Sequence, residues 1–207
     1  MGGRSFMLAT RVPMSRAGFE AWLDASPPGL DVIENPDAMW TGWAGDGGAA
    51  DWELTAFADS PHVVAALRAD RRKSPRQLLA DRVKAGGCVV RHRDGALELY
   101  LYDYHADPYR TRAELLMLAG AGRFADPGEH PVLHWGGNVY PDLPLAGDPP
   151  LAVLLVTPTG ARFVGRYPIE ALSATLRPVE AAFLARYEGD GTAEPDLSDA
   201  VDPALRP

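Results

Sequence analysis

The sequence predicts an α+β fold: a mainly antiparallel sheet built on two β-hairpins, residues 88–105 and 151–167, with helices packed on it. The expected organisation is one globular domain over 1–187 and an acidic, disordered tail over 188–207. Three observations carry this reading. Residues 86–107 read GGCVVRHRDGALELYLYDYHAD, two strand-like runs meeting at Asp94-Gly95, which is the strongest short-range hairpin signal. A continuous apolar run, 151–156, turns at Pro158-Thr159-Gly160 into a second strand-like run, 161–167. Helical patterning falls in segments of its own rather than alternating with strands throughout.

A two-residue loop at Asp94-Gly95 fixes the first hairpin's register. Arg93 then faces Ala96, His92 faces Leu97, Arg91 faces Glu98, Val90 faces Leu99, Val89 faces Tyr100 and Cys88 faces Leu101. Cys88, Val90, Leu97, Leu99 and Leu101 share an apolar face, and Arg91 opposes Glu98 on the other. A slip of one residue breaks both agreements.

From the N-terminus, 6–12 reads as a strand stopped by Pro13. Ser15 caps a helix to Ala25 with Phe19, Trp22 and Leu23 on one stripe, ended by Ser26-Pro27-Pro28. Residues 30–33 and 39–43 are expected as short strands, and 51–58 as a better one through Trp52, Leu54 and Ala56. Ser60-Pro61 starts a helix to Asp70. Ser74-Pro75-Arg76-Gln77 starts another with a full capping box, stopped at Gly86-Gly87. Thr111 caps a helix over 112–119. Residues 120–150 contain twelve Gly or Pro and are expected to be loop. Helical pattern returns over 168–187 with Leu172, Leu176, Val179 and Phe183, broken in two by Pro178.

The 207 residues carry a net charge of −8 and one cysteine. The cysteine count excludes an internal disulfide and suits a reducing compartment, so a cytoplasmic protein is expected, with a composition like that of high-GC bacteria. No apolar run approaches the roughly 20 residues of a membrane helix. The charge is uneven. Residues 67–93 hold nine basic and two acidic side chains, and 188–207 hold six acidic and one basic. The island Arg68, Arg71, Arg72, Lys73, Arg76, Arg82 and Lys84 is expected to be a solvated helix face, met by the acidic tail. An acidic protein disfavours nucleic acid and favours a basic partner.

Few motifs carry chemistry. Residues 45–50 and 120–125 match G-x-G-x-x-A, but neither follows a strand and opens a helix, so no dinucleotide site and no cofactor are expected. There is no P-loop and no G-x-S-x-G elbow. Asp103, His105 and Asp107 alternate on one side of an extended strand and are candidate metal ligands. Their outer pair would lie about 13 Å apart on a straight strand, however, so one ion needs a bend at Pro108. His130 and His134 have H-x-x-x-H spacing, but Pro131 stands where a metalloprotease has its glutamate. The stretch LHWGGNVYPDLP places His134, Trp135, Asn138 and Tyr140 together, the composition of a recognition loop. Cys88 reads as an inert core thiol. Tyr100, Tyr102 and Tyr104 form a stripe for a helix to cover, with 112–119 as the candidate.

No nucleophile–base pair and no closed ligand set can be assembled from the sequence. The favoured reading is a non-catalytic protein-binding protein with an acidic and aromatic surface, of which a bacterial immunity or toxin-neutralising protein is one instance. The alternative is a metal-dependent hydrolase using Asp103, His105 and Asp107. The expected partner is another protein, with a basic surface, and neither a membrane nor nucleic acid.

Overall fold

Asp94 and Gly95 both adopt positive φ, 48° and 69°, as a two-residue hairpin loop matched to strand twist requires. The turn sets strands β2 (Cys88–Arg93) and β3 (Ala96–Asp103) in the register read from the sequence, with Arg91 on Glu98 and His92 on Leu97. In the computed structural model, which describes residues 5–43, 50–103, 108–137, 142–145, 151–187 and 199–206, this hairpin is one flank of a six-stranded antiparallel sheet. Strand β1 (Ser5–Pro13) lies beside β3, and β4 (His130–Gly137), β5 (Leu151–Thr157) and β6 (Gly160–Val164) follow on its other side. The fold is α+β.

Helices cover both faces of the sheet. Val89, Tyr100, Ala9, Leu133 and Val153 form a row across five strands, every one fully buried. Helix α5 (Ile169–Tyr187) lies on this side and stacks Phe183 on Tyr100 at 4.5 Å. On the opposite side, α1 (Arg16–Asp24) packs Phe19 against His92 at 5.7 Å. Its Trp22 indole donates to the Met117 carbonyl of α4 (Pro108–Ala119). Helices α2 (Pro61–Asp70) and α3 (Pro75–Ala85) complete that layer. Ser15 caps α1 by accepting from the Gly18 amide. Ser74 and Gln77 form the capping box of α3, which ends on Gly86 at φ 77°. No helix among the described residues is long and apolar enough to cross a membrane.

Several expectations are corrected. Residues 30–33 and 39–43 are not strands but 3-10 turns, Leu30–Val32 and Pro36–Trp40, with a single bridge from Ile33 to Ala161. Nor is 51–58 a strand: Asp51 accepts from the Thr55 and Ala56 amides and caps a 3-10 turn, Thr55–Phe57. Part of the 120–150 loop is β4, an interior strand. There the Pro131 carbonyl accepts from the buried Thr10 hydroxyl at 2.8 Å. Helix α5 runs through Pro178 unbroken. Pro178 and Ala174 are both exposed, so the carbonyl that loses its amide partner faces water. Tyr100 and Tyr102 of the tyrosine stripe are covered by α5 rather than α4, with Tyr187 edge-on to Tyr102 at 5.3 Å, and Tyr104 lies outside the described residues.

The largest correction is at the C-terminus, where 199–206 is docked rather than disordered. Val201 bridges Val90 on the outer edge of β2, and Ala200, Val201 and Leu205 are buried. These few apolar anchors suffice because the backbone and a carboxylate also bond. Asp202 is buried. Desolvation alone would raise its carboxyl, but the Arg16 guanidinium and the amides of Ala204 and His92 hold it below the ordinary aspartate value.

Asp202→Asn is therefore expected to lower unfolding free energy at pH 7 by about 1–3 kcal/mol, the range for weakening a buried, charge-assisted bond set. A depressed carboxyl stabilises above its unfolded value, about 3.9, and loses that contribution as pH falls through its folded value. The gap between wild type and variant, measured by urea unfolding, should thus close as pH falls below about 4.

Candidate functional site

Phe6 pairs with Asp103, Ser5 with Gly137 and Trp135 with Leu151. The start of β1, the ends of β3 and β4 and the start of β5 therefore meet at one end of the sheet. The segment 36–43 crosses the same end: the Leu151 amide donates to the Gly42 carbonyl at 3.3 Å. A Cβ on Gly42 would lie 1.6 Å from the Leu151 oxygen, so only glycine permits this approach.

Four rings pack beneath this end. Trp40 meets Trp43 edge-on at 4.8 Å, and Phe6, Trp40 and Trp43 lie 6.0, 5.7 and 5.0 Å from the His134 imidazole. His134 is fully buried, and neither ring nitrogen has a hydrogen-bond partner. The Trp43 indole nitrogen is buried and unpartnered as well. Desolvation, with the positive Arg112 second, pushes the imidazole down to about 3, so it is neutral at every physiological pH. Beside the cluster, the Arg112 guanidinium lies 4.5 Å from the Tyr109 ring centroid and 5.8 Å from that of Trp52. The Trp52 indole donates to the Pro36 carbonyl at 2.9 Å, tying this group to the 3-10 turn that carries Trp40.

The residues singled out from the sequence divide as follows. His134 and Trp135 sit on β4 and point to opposite faces of the sheet, both buried. Trp135 lies edge-on to Tyr100 at 5.6 Å and donates to the Asp142 carbonyl at 3.1 Å. They build the floor of this end instead of projecting from a loop, because a two-residue period in an interior strand buries both faces. Asn138 and Tyr140 lie outside the described residues. Asp103 is the last residue of β3, while His105 and Asp107 lie outside the described residues. His130, buried on β4, bonds the Asp126 carbonyl through Nε2 at 2.8 Å. Strand spacing separates it from His134, so the two form no helical pair.

Chemically reactive groups here are quiet. Cys88 is buried and its thiol is pushed up to about 12 by desolvation. Burial would raise Asp51, but the Ala56 and Thr55 amides and the Thr55 and Tyr109 hydroxyls together bring it to about 2. A carboxylate so fully occupied as an acceptor is a cap, not a base. The basic island is largely paired within the fold. Arg82 meets Glu114 at 2.6 Å, Arg76 meets Asp24 at 2.7 Å, and Lys73 meets Asp70 at 2.9 Å. Arg71 donates to the Trp52 carbonyl. Sequence reasoning missed Trp40, Trp43 and Arg112. The available signal was density: three of the five tryptophans, Trp40, Trp43 and Trp52, fall within thirteen residues.

His134 gives this end a distinctive pH response. A histidine held neutral in the fold stabilises fully above its unfolded value, about 6.5, and the contribution is lost as pH falls toward the folded value. Wild type should lose up to about 1.4 kcal/mol per pH unit from this group below pH 6.5. His134→Leu should remove that slope and leave stability at pH 8 equal or higher, since two unpaired buried nitrogens go with it. Chemical denaturation across pH 4–8 reads both.

Comparison with family models, with curated proteins and with solved structures finds no match to this chain, so its functional reading rests on its own residues.

Proposed function

We propose that this chain is a non-catalytic protein-binding protein that presents one end of its sheet, acidic and aromatic, to a basic surface on another protein. The observation that carries the reading is the convergence of four strand termini over the Phe6, Trp40, Trp43 and His134 cluster. A rigid scaffold with connections gathered at one end is a common architecture for recognition. The sequence that departs from this end, 44–49, 104–107, 138–141 and 146–150, carries Asp46, Asp107, Asp148, Tyr104 and Tyr140 and no Lys or Arg. Asp142, next to it, is exposed. Segments that combine acidic and aromatic residues favour fast, salt-sensitive association with a cationic partner.

The sheet edges support the same end as the contact surface, because neither edge is open for strand addition. At β6 the Asn35 amide group accepts from the Phe163 amide at 2.7 Å and donates to the Phe163 carbonyl at 3.0 Å. At β2 the C-terminal segment occupies Val90. An immunity or toxin-neutralising protein of bacterial type is the specific form we favour, since inhibition of a basic enzyme needs only a complementary patch.

The test is affinity capture from the source cell with the tagged full chain, wild type against Asp142→Lys and Trp40→Ala. The reading predicts a basic protein retained at low salt, released as salt rises, and lost at least about tenfold in Asp142→Lys at unchanged thermal midpoint. Hydrolytic activity that requires about one equivalent of metal and vanishes in His105→Gln would replace it with the hydrolase.

A further inference from the structure

Strand β2 ends the sheet, so the Val90 amide and carbonyl point outward, and basic side chains from three elements line that edge: Arg16 of α1, Arg76 of α3, and Arg91 and Arg93 of β2. Such an edge invites an acidic extended peptide. The segment 199–206 occupies it as one. Val90 donates to the Ala200 carbonyl at 2.8 Å, and Asp202 donates back to the Val90 carbonyl at 2.7 Å, in a parallel bridge.

Side chains then read the segment. Asp202 accepts both arms of the Arg16 guanidinium, at 2.6 and 2.9 Å, and the His92 amide at 3.1 Å. Asp199 accepts from Arg93 at 3.0 Å and lies 3.1 Å from Arg91, which also bonds its carbonyl. Arg76 donates to the Ala204 carbonyl at 2.5 Å. Val201 and Leu205 supply the buried apolar contacts. Asp202 also accepts from the Ala204 amide at 3.0 Å, which shapes Pro203–Leu205 into one 3-10 turn. The recognised pattern is Asp-x-Val-Asp-Pro-x-Leu.

These bonds run to α1, α3 and β2, and none depends on the covalent path from α5. That path is 188–198, whose sequence has Leu197 as its only large apolar residue. We infer that the outer edge of β2 is a peptide-binding groove for this acidic pattern, and that the C-terminal segment of a second copy of this chain enters it by reciprocal exchange. Each copy carries both groove and ligand, so exchange remakes every bond it breaks. Within one chain the tether holds the segment at an effective concentration of about millimolar, so the closed monomer dominates in dilute solution and exchanged dimers form on concentration. This groove is separate from the sheet end proposed above, and either can fail without the other.

Two full-length variants test it. Asp202→Lys breaks the segment and leaves the groove intact; Arg16→Glu breaks the groove and leaves the segment intact. Alone, each should be monomeric by native mass spectrometry, and mixed in equal amounts they should form a 1:1 heterodimer. Two folded monomers that never pair at about 0.1 mM would overturn the inference. If either variant fails to fold, wild type decides. Isotopically light and heavy chains, incubated together at about millimolar concentration, should yield mixed dimers. Wild type that stays monomeric throughout refutes exchange, as do dimers that persist undiminished when both chains carry Asp202→Asn. A labelled peptide of residues 197–207 should bind Asp202→Lys at least about tenfold more tightly than its Asp202→Asn counterpart, the difference one charge-assisted fork supplies. Equal affinity of the two peptides would remove the proposed specificity.

Discussion

Strand β1 carries the architecture. It pairs with β3 from Phe6 to Pro13 on one side and with β4 from Ser5 to Thr10 on the other, so the two halves of the sheet are joined only through it. The partners lie about a hundred residues away in sequence, and the β2–β3 hairpin cannot bury its Tyr100 face until they assemble. Ala9 and Thr10 are fully buried at the centre, where a larger side chain or an unpaired hydroxyl has no room to relax. Thr10 meets that condition through its bond to Pro131 on β4. One short strand thus fixes where both hairpins stand and which end of the sheet collects the connections.

Charge follows a comparable economy. The island of arginines and lysines reads in sequence as a solvated face, and several members also form ion pairs: Arg82 with Glu114 and Arg76 with Asp24 between helices, and Lys73 with Asp70 and Asp81. Arg91 is the clearest case. It holds Glu98 across the hairpin at 2.8 Å, both side chains buried, and reaches Asp199 with the rest of its fork. A planar guanidinium can serve both carboxylates, which a lysine ammonium does less well. Buried pairs of this kind stabilise only while both partners are present, so the register of β2 against β3 and the docking of the C-terminus are coupled through one side chain.

What the sequence disclosed was local. Alternation around Asp94-Gly95, the Ser74–Gln77 box and the apolar run at 151–156 each specify their own conformation within a few residues, and each appears in the fold. What it concealed was set from a distance. Strand β4 contains Pro131, Gly136 and Gly137, which weaken any strand pattern, and it is a strand because β1 and β5 flank it. The tail 199–206 has too few apolar residues to signal burial, and it is ordered by arginines more than a hundred positions upstream. His134 and Trp135 looked like recognition residues because aromatic and polar groups beside glycines resemble a loop; composition alone does not separate a loop from an interior strand. Trp40, Trp43 and Arg112 escaped notice because 3-10 turns and cation–ring contacts leave no period to read.

A sheet centred on β1 with both outer edges closed has a direct signature in amide hydrogen exchange followed by NMR. The outward amides of edge strands ordinarily exchange quickly. Here Val90 donates to Ala200 and Phe163 donates to Asn35, so both should be protected, though less than the amides of β1. Rapid exchange at Val90 beside slow exchange in β1 would mean an open β2 edge and contradict the docking of the C-terminal segment there, and rapid exchange at Phe163 would mean an open β6 edge.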